Sequence, residues 1–172
     1  MSYAPSKLVE RAWATPPRCL ESFVAAPVVE PPDGTFNELG YFALACTCGN
    51  DSFKVLGHPQ EDELFAAPLG LTCTVCDKSA ELFDIAAHGY DAELGHGCYS
   101  CRGTGAQSEY SCLACQSSAF GAQAGFSYQI EPIEDLGPEN QDRIQDLFDW
   151  FYLDVRCKNC GEAAGVSDYE CA

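Results

Sequence analysis

Ten of the twelve cysteines fall in close pairs: Cys46/Cys48, Cys73/Cys76, Cys98/Cys101, Cys112/Cys115 and Cys157/Cys160. Only Cys19 and Cys171 stand alone. Two thiols on one tight turn can face a single metal ion, and two such turns supply the four sulfurs of a tetrahedral zinc site. The spacing predicts one site from Cys46, Cys48, Cys73 and Cys76. It predicts a second from Cys112, Cys115, Cys157 and Cys160. Gly49 and Gly161 follow their pairs directly, where a turn needing positive φ favours glycine. Two zinc ions are the expected cofactors; iron suits four thiolates as well, with zinc the default.

Cys98 and Cys101 are left over. One rival pairing joins them to Cys112 and Cys115 and strands Cys157 and Cys160. A partial third site with His96 or His88 is another reading. A reactive dithiol is a further one; it needs a depressed thiol pKa, and Arg102 is the only cation nearby in sequence.

The segments around the pairs must position them. YFALACTCGNDSFKVLG reads as strand, tight turn, strand, and LGLTCTVCDKSAELFDI repeats the scheme. EYSCLACQSSAF with GFSYQIEPI, and later YLDVRCKNCGEAAGVSDYE, do so again. The chain thus reads as an internal repeat, one unit over about 40–90 and another over about 109–171. Pro138 and the apolar residues Ile144, Leu147, Phe148 and Phe151 predict a short amphipathic helix over 138–149. Residues 1–38 carry six of the ten prolines, which favours extended chain over a long helix. SFVAAPVV within it reads as an edge strand, because Pro27 is unsuited to a central one.

The expected fold class is therefore small and β-rich: two zinc ribbons packed together, one short helix and an extended N-terminal arm. The boundaries are 1–38 for the arm, 39–96 for the first ribbon and 97–172 for the second, helix-bearing ribbon.

CTCGN, LTCTVCDKSAELFD, YSCLAC and LDVRCKNCGEA resemble zinc ribbons of the rubredoxin-like kind. With FNELGYFALACTCG and LFDWFYLDVRCKNCGEAAGVSDYECA, the chain also resembles small bacterial double-zinc-ribbon proteins of unassigned function. The resemblance implies a metal site and a fold, and it implies no reaction. CYSCRGTG is similar to a cysteine repeat of DnaJ-type chaperones, although CLACQSSA after it lacks both glycines.

Charge bounds the partners. Nine Lys and Arg face 26 Asp and Glu, a formal charge of −17. Each four-thiolate zinc site would add −2. Nucleic-acid binding runs on Lys and Arg contacts to phosphate, so direct DNA or RNA binding is not expected. A basic protein partner is. No run of apolar residues suits a membrane span, and the first residues lack a secretory pattern, so a cytoplasmic location is expected. There is no G-x-S-x-G, H-E-x-x-H or Walker loop. The expected function is non-enzymatic: zinc-stabilised protein–protein interaction through an acidic surface, such as a bacterial immunity-type protein would use. The alternatives are a thiol-redox or chaperone-like protein using Cys98/Cys101 and a transcription-associated zinc ribbon.

Of the remaining residues, His58 reads as solvated in a loop and His88 as closing a turn. Phe148, Trp150, Phe151 and Tyr152 read as core packing, or else as an exposed hot spot inside an acidic rim.

Overall fold

The computed structural model describes residues 7–28, 39–62, 64–89, 102–129 and 133–171. Helix α1 (Lys7–Ala14) is followed by a single 3-10 turn (Arg18–Leu20) and strand β1 (Val24–Pro27). Then come β2 (Leu39–Ala45), β3 (Phe53–Pro59), β4 (Phe65–Cys73), β5 (Ser79–Phe83) and the short β6 (Ser108–Glu109). Strand β7 (Phe120–Ser127), a 3-10 helix (Pro138–Asp146), β8 (Trp150–Cys157) and β9 (Ala163–Glu170) complete the described chain. All strand pairings are antiparallel, and they link into one sheet.

The strands follow their sequence pattern. In β7, Phe120, Ala122, Ala124 and Phe126 are buried while Gly121, Gln123 and Ser127 are not, a period of two broken only at the buried Gly125, over which Tyr41 lies. The same alternation buries Phe151, Leu153, Val155 and Cys157 of β8. The sheet curls so that its two limbs close on a shared core. Phe83 of β5 stacks on Phe151 of β8, with ring centroids 4.1 Å apart and planes 5° from parallel. Ser167 and Tyr169 of β9 both donate hydroxyl hydrogen bonds to the Phe65 carbonyl of β4.

The internal repeat is visible strand by strand. Strands β3–β4–β5 correspond to β7–β8–β9. Leu71 pairs Ala80 and Val155 pairs Ala164, each pair two residues before and four after the cysteines of its closing turn. Both copies carry a register shift at the same place, Leu69/Gly70 and Leu153/Asp154. The units are not two separate ribbons laid together, as the sequence suggested. They join edge to edge and exchange their opening strands: β2 pairs β7 with Ala43 opposite Gln123, and β6 pairs β3 with Leu56 opposite Glu109. Ala43 and Glu109 occupy the same position, three residues before the first cysteine of each unit.

Two further expectations are corrected. The N-terminal segment is not wholly extended. Lys7–Ala14 lies between Pro5 and Pro16, and its buried Val9 and Ala12, flanked by Leu8 and Trp13, form one apolar helix face. Gly40 lets that helix approach β2: a side-chain carbon there would come within 2.9 Å of the Trp13 carbonyl oxygen. The expected helix over 138–149 is a 3-10 helix that stops at Asp146. The sheet takes over there, since the Asp149 N–H already donates to Ser127. The edge strand read around Pro27 is present as β1, paired to β2 alone.

Candidate metal centres

Four turns carry eight cysteines, and the backbone builds them alike. The N–H groups of Gly49, Asp77, Gln116 and Gly161 return to the carbonyls of Cys46, Cys73, Cys112 and Cys157, at 2.8, 3.1, 2.8 and 2.9 Å. All four residues have positive φ: 92°, 57°, 61° and 79°. Each leading cysteine donates its own N–H to a carbonyl past the turn, those of Asn50, Lys78, Ser117 and Glu162. Cys46-Thr47-Cys48 is one residue shorter than the other pairs, and its turn closes over three residues instead of four. The glycines at 49 and 161 were legible; Asp77 and Gln116 were not singled out, although aligning the turns on their leading cysteines marks both.

Opening and closing turns are then tied together. Thr74 N–H donates to the Ser52 carbonyl at 3.0 Å, and Lys158 N–H donates to the Ala119 carbonyl at 2.8 Å. This brings Cys46, Cys48, Cys73 and Cys76 into one group and Cys112, Cys115, Cys157 and Cys160 into another, with all sulfurs of a group within 4.8 Å of one another. The cross-turn separations are 3.6 Å for Cys46–Cys76, Cys48–Cys73, Cys112–Cys160 and Cys115–Cys157. Zinc–sulfur bonds of about 2.3 Å in a tetrahedron put the sulfurs about 3.8 Å apart. A disulfide would need about 2.05 Å. The groups therefore fit a metal ion, and the described cysteines are all free.

The sulfurs of each group divide: Cys76 and Cys160 are raised to about 12, because the backbone N–H groups of Lys78 and Glu162 are outweighed by the neighbouring thiols, whereas donors lower others. Cys73 is lowered to about 6, chiefly by the Cys76 backbone N–H, with the Val75 N–H and the Asn50 carboxamide assisting against burial. Asn50 Nδ2 lies 3.3 Å from that sulfur. Cys157, its counterpart, is also lowered to about 6, first by the Cys160 backbone N–H and then by that of Asn159 against burial. Donors aimed at sulfur favour the thiolate, the form that ligates metal. In each group the leading cysteine of both turns is buried, whereas Cys48, Cys76 and Cys160 reach solvent.

The two centres lie on one row of the sheet. Cys73 pairs Phe53, Phe53 pairs Phe120, and Phe120 pairs Cys157. Three strand spacings separate the outer members, about 14 Å. An ion pair of 2.8 Å between Lys158 and Asp51 links a turn of one centre to the strand approach of the other.

Among the described residues Cys112 and Cys115 group with Cys157 and Cys160, as the repeat-based reading expects. Cys98, Cys101 and His96 lie outside the described residues. His58 is not solvated: it is 7% exposed in β3, with Gly103 directly over its ring. Gly103 is needed there because any side-chain carbon would collide with the imidazole. His88 does close a turn, its Nδ1 accepting the Asp84 N–H at 2.9 Å. The aromatic cluster is divided by the pleat. Phe148 and Phe151 are in the core, whereas Trp150 and Tyr152 stack on each other on the outer face, centroids 6.2 Å apart.

No protein-family model matches the chain, and no curated protein or solved structure is significantly similar to it. Among the described residues no helix is long and apolar enough to cross a membrane. What is established is a small β-rich chain with two four-cysteine groups, each able to hold a metal ion in the manner of a zinc ribbon.

Proposed function

We propose that this is a non-enzymatic zinc protein, with one zinc ion in each four-cysteine group, whose acidic surface binds a basic protein partner. Four protein thiolates fill a tetrahedral shell and leave no position for substrate, the arrangement of a structural site. Zinc bound there stabilises the fold outright, since unfolded chain holds no such cage.

The observation that carries the partner is how the chain spends its few cations. At least five of the nine Lys and Arg are engaged in ion pairs among the described residues: Arg11–Asp142, Arg18–Asp146, Lys54–Glu109, Arg102–Asp84 and Lys158–Asp51. Against the formal −17, this leaves little positive surface and a large excess of exposed carboxylate. Such a field attracts basic proteins and repels nucleic-acid phosphate. Neutralising a basic toxin, the immunity-type role, would use this same chemistry.

The test is affinity capture on the immobilised, metal-loaded chain at low salt, followed by a salt step. The recovered proteins should be basic and should elute as ionic strength rises. Retention of acidic proteins, or binding indifferent to salt, would refute the reading, as would a gel shift of DNA or RNA at low salt.

A further inference from the structure

The face of β2, β7, β8 and β9 that turns away from the core carries the buried Tyr41 and borders one metal centre at Cys157 and Gly161. The registers place Tyr41, Gly125, Tyr152 and Asp168 in one row across the four strands, and Ala43, Gln123, Asp154 and Gly165 in the next row. Tyr41 lies flat over Gly125, where a side-chain carbon would come within 2.6 Å of its ring. Tyr152 stacks on Trp150, and the Trp150 indole N–H donates to Asp168. Beside this aromatic row the sheet drops to small residues, Ala43, Gly121, Ala163 and Gly165, and opens a groove of about 740 Å³.

The groove has a mainly apolar lining with charged groups at its two ends. At one end Lys158 is held by Asp51 at 2.8 Å, and Arg156 donates to the Gly161 carbonyl at 2.9 Å. At the other stands Asp154, half-buried, with no hydrogen bond or ion pair among the described residues. Burial, and then Asp168, raise its pKa. Burial raises Tyr152 as well, with Asp168, Asp149 and Asp154 adding to it. A cation placed here would relieve both effects.

We propose that this groove is the docking site for an extended basic segment of a partner protein, with one Arg or Lys side chain lying against Tyr152 and Trp150 and its charge on Asp154 and Asp168. Aromatic faces and carboxylates together are what a guanidinium or ammonium group seeks. The small-residue floor admits a peptide backbone. A second copy of this chain is a poor occupant, because it would bring another −17 against the same carboxylates. The proposal rests on the acidic-surface reading above and narrows it to one face.

The probe is the acetylated, amidated peptide (Ala-Arg)4, titrated into the metal-loaded, 15N-labelled full chain. The Trp150 indole N–H and the amides of Gln123, Tyr152 and Asp154 should shift together. Asp154→Asn and Tyr152→Leu should each weaken binding about tenfold, whereas Glu10→Gln with Glu81→Gln, neither of which lines the groove, should stay within about twofold. Metal content and the remaining amide spectrum verify that each variant is folded. If the peptide binds but shifts scatter over the surface, or the control pair weakens binding as much, the groove is refuted and the acidic-surface reading survives. If the peptide fails to bind even at low salt, both fall.

Discussion

Phe53 and Phe120 are paired directly across β3 and β7, and they are the same residue of the two repeats. Each lies five positions after the second cysteine of its opening turn, Cys48 or Cys115. Each faces the leading cysteine of its closing turn, Cys73 or Cys157. An antiparallel bridge between equivalent residues makes that pair the local two-fold axis relating the units. The exchange of β2 and β6 follows from it, because the free edge beyond each phenylalanine is filled by the other unit's opening strand.

Metal content should be two equivalents of zinc per chain by elemental analysis. Cys73→Ser and Cys157→Ser should each remove about one equivalent, since each takes the buried leading ligand from a different centre. Chelation should unfold the chain, as removal of a structural ion withdraws folding free energy directly. A chain that keeps its amide dispersion and its melting temperature after chelation would contradict this.

Phe83→Ala should destabilise by about 3–5 kcal/mol, the range for a large aromatic deleted from a packed core. Phe83 is fully buried and touches Phe148, Phe151 and Tyr169. A double-mutant cycle with Phe151→Leu should show coupling of about 0.5–1.5 kcal/mol in urea titrations. Additivity would mean the stack across the two limbs contributes nothing specific.

Gln116 holds a φ of 61° where its counterpart Gly161 holds 79°. Gln116→Gly should therefore stabilise by about 0.5–1 kcal/mol, and Gly161→Ala should destabilise by about 1 kcal/mol or more. Opposite signs in thermal melts of the metal-loaded chain are the outcome to look for. Nothing lies within 4 Å of a carbon added at Gly161, so any loss there is conformational and not a clash.

His88 has its pKa lowered from 6.5, first by burial, with Glu81, Asp84 and Asp146 opposing. The unfolded chain therefore takes up the proton at a pH where the folded chain does not. Its contribution to stability is complete above 6.5 and is lost as pH falls through the folded value. Protonation also removes the Nδ1 acceptor that the Asp84 N–H uses. NMR titration of the imidazole should give a midpoint below 6.5, and His88→Asn should lose less stability between pH 7 and 5.5 than the parent. A midpoint above 6.5 would reverse the sign.

The cysteine pairs, the repeat, the positive φ at Gly49 and Gly161 and the edge strand at Pro27 were all readable in one dimension. Each is a local matter: ligand spacing, pleat alternation and the backbone freedom of single residues decide them. The same alternation separates Trp150 and Tyr152 from Phe151, so the split of the aromatic cluster was open to a stricter count. Tertiary structure alone decided the rest. Whether β2 lies beside its own unit or the other one depends on edges that exist only after β3 and β7 have met at Phe53 and Phe120. The burial of His58 waits on Gly103, a contact 45 positions away along the chain. Gly40 seats Lys7–Ala14 against β2, and the turn that follows it is held by Asp146, which accepts the Arg18 N–H at 2.7 Å from 128 positions away. Spacing dictates which sulfurs can share an ion, because a turn is short. It leaves open which edges and faces meet, because that follows from the free energy of long-range pairing and burial.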